Sequence, residues 1–239
     1  MKAARRAARI TIRRMDSDQL APRWLWQIAR WGFIAALVSV SALALGLSLG
    51  LAYPPRAGPL LWQDDFKVDS TRWEFSAPTG GALAPRQGAL AAEFTTPDQL
   101  VLGLTAGPAG DFTLEIAGTQ TAGESGAVYG LVFGWQDEAH YNAVLVNSNG
   151  YAEAYRQDGP ERQQWFAWQQ WPHILVQPES NRVRVDVRAA RVIVRINDER
   201  LVEAAANGAP ARGRLGVLAR SIGPGEVVFS WVRVWGASP

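Results

Sequence analysis

No cysteine occurs in the chain, so disulfides, zinc–thiolate sites and thiol catalysis are excluded. Histidine is almost as scarce. His140 and His173 are the only two, and neither has a partner at metal-binding spacing, which argues against a transition-metal site. Neither a Ser/His/Asp elbow nor a phosphate-cradling glycine loop is present. The longest stretch without charge is a single one: no Asp, Glu, Lys or Arg lies between Trp31 and Pro55.

That gap divides the chain. Residues 1–30 carry Lys2 and seven arginines (5, 6, 9, 13, 14, 23 and 30) against Asp16 and Asp18, a net of +6. Residues 54–239 hold the other 16 basic and 20 acidic residues, a net of −4. The basic balance therefore belongs to the tail. A nucleic-acid binder would carry it on the folded part, so no nucleic-acid partner is expected.

Residues 31–53, WGFIAALVSVSALALGLSLGLAY, are apolar apart from three serines. At about 1.5 Å per residue these 23 residues reach roughly 34 Å, enough to cross a hydrocarbon core of about 30 Å. Serine hydroxyls can bond back to the helix's own carbonyls, so they do not prevent insertion. Trp24, Trp26 and Trp31 flank one end and Tyr53 the other, as aromatic rings do at headgroup level. The arginine excess precedes the segment, which predicts a cytoplasmic N-terminus and a single-pass anchor in the cytoplasmic membrane. Pro54-Pro55 should end the helix. Gly50-Leu51-Ala52 would also suit signal-peptide cleavage, but the long apolar core and 30-residue leader favour an uncleaved anchor. Ala42, Gly46 and Gly50 form a small-residue face that could bring another membrane helix close, and with it the subunits of a membrane complex.

Beyond a linker at residues 54–59, the chain reads as strands separated by turns. These are Gly107-Pro108, Gly123 to Gly126, Asn147 to Gly150, Asp158-Gly159-Pro160, Asn197-Asp198, Asn207 to Pro210 and Gly223-Pro224-Gly225. Short strands at that spacing predict an all-β, antiparallel sandwich over residues 60–236, without disulfides but long enough to bury roughly 70% of its unfolded surface. In NRVRVDVRAARVIVRIND a two-residue turn at Ala189-Ala190 pairs 187 with 192, 185 with 194 and 183 with 196. That register sets Arg184 opposite Arg195 and Arg188 opposite Arg191, which requires a neighbouring carboxylate (Glu115 or Glu153), solvation, or an anionic partner.

Several segments carry a resemblance: DDF at 64–66, YGLVFGWQDEAHYNAVLVNSNGYAEAYRQDG at 129–159, NRVRVDVRAARVIVRINDERLVE at 181–203, GRLGVLARS at 213–221 and FSWVRVW at 229–235. They resemble the concanavalin A-like lectin/glucanase superfamily, chiefly its laminin-G-like and 3-keto-disaccharide-hydrolase-type domains in bacterial envelope proteins. The resemblance implies a jelly-roll of two antiparallel sheets whose concave face or rim often binds sugars. Asn197-Asp198 stands where many relatives have Asn-Gly, a departure confined to one hairpin turn. The glucanases of this superfamily place their carboxylates in a Glu-x-Asp-x-Glu strand. That pattern is absent: DFTLEIAG offers Glu115 alone and VRVDVR offers Asp186 alone.

No catalytic residue is therefore assigned, and no cofactor is expected. Calcium is the one ion left open, because its oxygen ligands come from loops and Asp137, Asn147, Asn149 and Asp158 are loop residues, though such residues are also ordinary turn formers. Aromatic side chains are the stronger lead. Phe166, Trp168 and Trp171 crowd WFAWQQW beside Trp165, which is expected to cap the core. Tyr151, Glu153 and Tyr155 alternate and so share a face. With Arg184 and Arg195 from the arginine hairpin, these are the ligand-binding candidates. The expected function is a membrane-anchored, non-catalytic module outside the cytoplasm that binds glycan or envelope carbohydrate. The alternatives are an accessory subunit of a membrane complex and a glycoside hydrolase.

Overall fold

The computed structural model describes residues 23–52, 57–68, 71–76, 78–189, 191–205 and 213–237. Residues 1–22 of the basic tail, Tyr53 to Pro55, Ala190 of the arginine hairpin and the Asn207–Pro210 turn lie outside the described residues. The chain forms two separate units, Met1–Leu51 and Ala52–Pro239.

The first unit contains α1, Arg23–Ala52, which begins eight residues before the segment read from charge alone. RWLWQIAR has no glycine or proline to interrupt it, so the helix runs straight into the charge-free stretch. From Trp24 to Leu45 every side chain is exposed, and this 22-residue part is long and apolar enough to cross a membrane. Ala42 lies on that exposed surface, and Gly46 and Gly50 continue along the helix.

The second unit is a sandwich of two sheets in which every strand pairing is antiparallel. The eight-stranded sheet is built from β1 (Leu60–Asp64), β3 (Gly81–Arg86), β4 (Ala89–Phe94), β6 (Phe112–Gly123), β11 (Asn181–Arg188), β12 (Arg191–Ile196), β13 (Glu199–Ala205) and β15 (Gly225–Gly236). Its order is β13-β12-β11-β6-β15-β4-β3, with β1 pairing the second half of β15. The seven-stranded sheet runs β10 (Glu161–Gln170), β9 (Tyr151–Asp158), β8 (His140–Asn147), β7 (Val128–Asp137), β14 (Arg214–Arg220), β5 (Leu100–Ala106) and β2 (Glu74–Phe75). No second helix occurs among the described residues.

Between the sheets, inward residues of alternate register interlock. Leu114, Ile116, Val183, Val185, Val192, Val194, Phe229 and Val232 from one sheet meet Tyr129, Leu131, Phe133, Val144, Val146, Leu215 and Val217 from the other. All of these are less than 2% exposed. Every residue of this core belongs to the second unit.

The arginine hairpin has the register read from sequence, with Val187 opposite Val192, Val185 opposite Val194 and Val183 opposite Ile196. The next turn, Asn197-Asp198, has positive φ at both residues (51° and 72°), the backbone of a type I′ hairpin turn. Asn and Asp tolerate that region, which is why the turn survives without glycine.

Candidate functional site

Antiparallel sheets usually turn one face to the core and a polar face to water. The seven-stranded sheet does not follow this. In β5, Val101 and Gly103 point inward while Leu100, Leu102 and Leu104 point outward, and in β14 Leu218 points away from the inward pair Val217 and Ala219. β8 alternates inward Val144 and Val146 with outward Tyr141, Ala143 and Leu145. On the outer side, Leu102, Leu104, Val132, Ala143, Leu145, Tyr155 and Leu218 form a second buried apolar cluster, with Val128, Trp135 and Tyr141 packed against it.

Aromatic rings cross that outer face from strand to strand. Trp135 of β7 lies against Tyr141 of β8, centroids 4.8 Å apart. Tyr141 meets Tyr155 of β9 edge to face at 5.9 Å, and their hydroxyls are 3.3 Å apart. The Arg162 guanidinium of β10 sits 3.9 Å above the Tyr155 ring, and Tyr151 stacks on Trp168 at 5.9 Å with 15° between the planes. Two hollows open along this line. The first, about 340 Å³, has Tyr141, Glu153, Tyr155, Arg162, Trp168 and Arg220 in its walls over a floor of leucine and valine. The second, about 560 Å³, is lined by Pro78, Leu102, Trp135 and Glu138 among others. Leu100, Tyr141 and Leu218 belong to both and form the wall between them. Each volume falls in the range of about 300–1,000 Å³ typical of small-molecule sites.

Burial pushes the Glu153 carboxyl up, and Arg162, 3.9 Å away, opposes that shift. Burial raises the Tyr155 phenol well above its ordinary value, helped by its hydrogen bond with Tyr141. Tyr155 therefore keeps its proton and can donate. A carboxyl raised by folding favours the native state below its unfolded value near 4.5, and that contribution is lost as pH rises through the folded value. Glu153→Gln is thus expected to raise the melting temperature relative to the parent by more at pH 7 than at pH 4. A difference equal at both pH values, by differential scanning fluorimetry, would mean that Glu153 is not desolvated.

The sequence candidates are distributed unevenly over this geometry. Tyr151, Glu153 and Tyr155 share the outer face, and Trp168, 40% exposed, joins them from β10. Phe166 and Trp171 instead pack against the main core together with Trp165, Phe166 meeting Trp171 edge to face at 5.8 Å. Irregular register between Gln164 and Phe166, and again before Gln169, breaks the alternation, so neighbours Trp165 and Phe166 both turn inward. Arg184 and Arg195 lie on the outer face of the other sheet, each only 8% exposed. Arg184 donates to Asp186 (Nη2 to Oδ1, 2.8 Å) and faces Glu115 across the β6–β11 ladder; Arg195 Nη1 donates to the Asp198 carbonyl at 3.0 Å. Glu115, raised by burial against the pull of Arg184 and Arg182, is the cross-strand carboxylate the hairpin requires. Glu153 stands in the opposite sheet and takes no part.

The calcium candidates separate. Asp137 and Asp158 flank His140 at one end of β8 (Asp137 Oδ1 to His140 Nδ1, 2.8 Å). Asn147 and Asn149 lie at the other end, where the Asn147 side chain accepts from the amides of Asn149 and Tyr151. Among the described residues no three His, Asp or Glu side chains gather where they could hold a metal ion.

Trp135, Tyr141 and Arg162 were not singled out by sequence reasoning, nor were the leucines of the floor. One signal could have found part of this set. HYNAVLVN is apolar in both registers, Tyr141-Ala143-Leu145 and Val144-Val146, which marks a strand covered on both faces.

No protein-family model and no curated protein matches the sequence. Solved structures do. The carbohydrate-binding module CBM66 from Bacillus subtilis aligns over 70% of this chain and 96% of its own at 16% identity and a TM-score of 0.52. A Bacillus subtilis protein of unknown function with a galectin-like fold aligns over 77% and 98% at 12% identity and 0.58. The catalytic domain of an endo-1,3-β-glucanase (laminarinase) from Thermotoga petrophila aligns over 75% and 98% at 9% identity and 0.56. At such identities the likeness is one of fold: the chain carries a concanavalin A-like β-sandwich behind an N-terminal apolar helix.

Proposed function

We propose that this chain is a membrane-anchored, non-catalytic carbohydrate-binding module working outside the cytoplasm. The observation that carries the reading is the aromatic line on the outer face of the seven-stranded sheet, with its two hollows. Sugar rings present flat C–H faces that lie well on aromatic planes, and hydroxyl rims that need charged or polar partners. Tyr141, Tyr155 and Trp168 supply the first, and Glu153, Arg162 and Arg220 the second. Hydrolysis of a glycosidic bond by the usual route calls for two carboxylates across the groove. Among the described residues, Glu153 is the one carboxylate in the wall of the first hollow and Glu138 the one in the second, which supports binding over catalysis. The fold likeness to a carbohydrate-binding module points the same way. The exposed apolar helix and the basic residues before it support the anchor and its orientation.

The test is a glycan array probed with the full chain in lipid nanodiscs. Trp168→Ala is expected to lower binding to whichever glycan is captured by about tenfold or more, as loss of an interfacial tryptophan does. Its melting temperature should stay near the parent's, because Trp168 is 40% exposed. Trp171→Ala is the contrasting variant: it should lower stability through the core. Binding unchanged by Trp168→Ala would remove this face as the site.

A further inference from the structure

The two hollows share a wall but differ in chemistry. The first combines Glu153, Arg162 and Arg220 with the hydroxyls of Tyr141 and Tyr155. The second is the larger, and its lining is mostly Pro78, Leu100, Leu102, Trp135 and Leu218, with Ser76 and Glu138 as its polar members. Sugar hydroxyls placed over leucine and proline would give up water without finding partners, which is unfavourable. An apolar chain has no such requirement and gains from leaving water.

Resting on the carbohydrate reading above, we propose that the ligand is an amphiphile. A sugar head occupies the hollow of Glu153, Arg162 and Trp168, and an alkyl or prenyl chain lies in the hollow of Leu102, Pro78 and Trp135. Tyr141, with Leu100 and Leu218, is the wall over which head passes to tail. Leu100 is 44% exposed on this face, an apolar surface that a chain would cover.

The experiment uses residues 57–239, which contain every residue of the sandwich core. Binding of n-alkyl β-glucosides from methyl to octyl, all below micelle formation, is followed by tryptophan fluorescence and calorimetry. The wild-type domain should bind about three- to fourfold more tightly for each methylene added. Leu102→Ser should flatten that gradient, so that octyl and methyl glucoside bind with nearly the same affinity. Pro78→Asp, at a half-buried loop position, makes the same test with less risk to the core. Trp168→Ala should weaken every member by one common factor and preserve the gradient. Methyl glucoside bound with no gradient would overturn the amphiphile and leave the carbohydrate reading standing. A gradient reproduced by octanol, which has no sugar, would instead overturn the carbohydrate reading. No binding by any member overturns the proposal.

Discussion

Asp186→Ala should cost the sandwich about 3–5 kcal/mol, because it takes from a buried arginine, Arg184, the carboxylate that lies 2.8 Å from its guanidinium. Asp186 is 1% exposed and accepts from Arg184 Nη2 at 2.8 Å and from Thr113 Oγ1 at 2.6 Å, with Arg188 Nη2 3.9 Å away. Arg184 is itself buried, and the hairpin register holds it directly opposite Arg195. Without Asp186, Glu115 and Asp198 would carry more of the balance for two facing guanidinium groups, and Glu115 is already raised by burial. At about 2–4 °C per kcal/mol for a domain of this size, the melting temperature should fall by roughly 10 °C. Asp186→Asn, which keeps the volume and can still accept from Thr113, separates charge from packing and should recover only a minor part. Arg184→Met combined with Asp186→Leu should restore most of the loss, as apolar replacement of buried pairs often does. A loss below 1 kcal/mol in Asp186→Ala, measured by urea unfolding, would show that this pair does not hold the face together.

The second large effect is all-or-none. An uncleaved anchor should leave the full chain entirely in the membrane pellet, resistant to alkaline carbonate, at the mass of all 239 residues. The fragment 57–239 should remain in the supernatant. The argument is length and charge: Trp24–Leu45 is a 22-residue exposed apolar helix, about 33 Å long, preceded by a strongly basic leader. A mature chain whose mass lacks the apolar segment would reveal a signal peptide and release the sandwich from the membrane.

Much of the architecture was legible because it follows from periods shorter than ten residues. The valine-arginine alternation across 183–196 determines which side chains share a face, and a two-residue turn then dictates the partner of each. The Tyr151-Glu153-Tyr155 face followed from the same alternation. WFAWQQW was harder. Whether Trp165 and Phe166 point apart or together depends on a register irregularity in β10, which is set by its pairing with β9 and leaves no local mark. Phe166 and Trp171 therefore went to the core while Trp168 stayed out.

By itself the sequence determined the division into a basic tail, an apolar helix and an antiparallel sandwich, since hydrophobicity, charge and turn residues are properties of contiguous segments. Only the tertiary structure decided which face of which sheet gathers the aromatic line. Trp135, Tyr141, Tyr155 and Trp168 come from four strands, and strand order is set by how two whole sheets close around one core. The same closure placed Glu115 beside Arg184 and left Glu153 in the opposite sheet, a choice that no pairwise pattern in the chain could make.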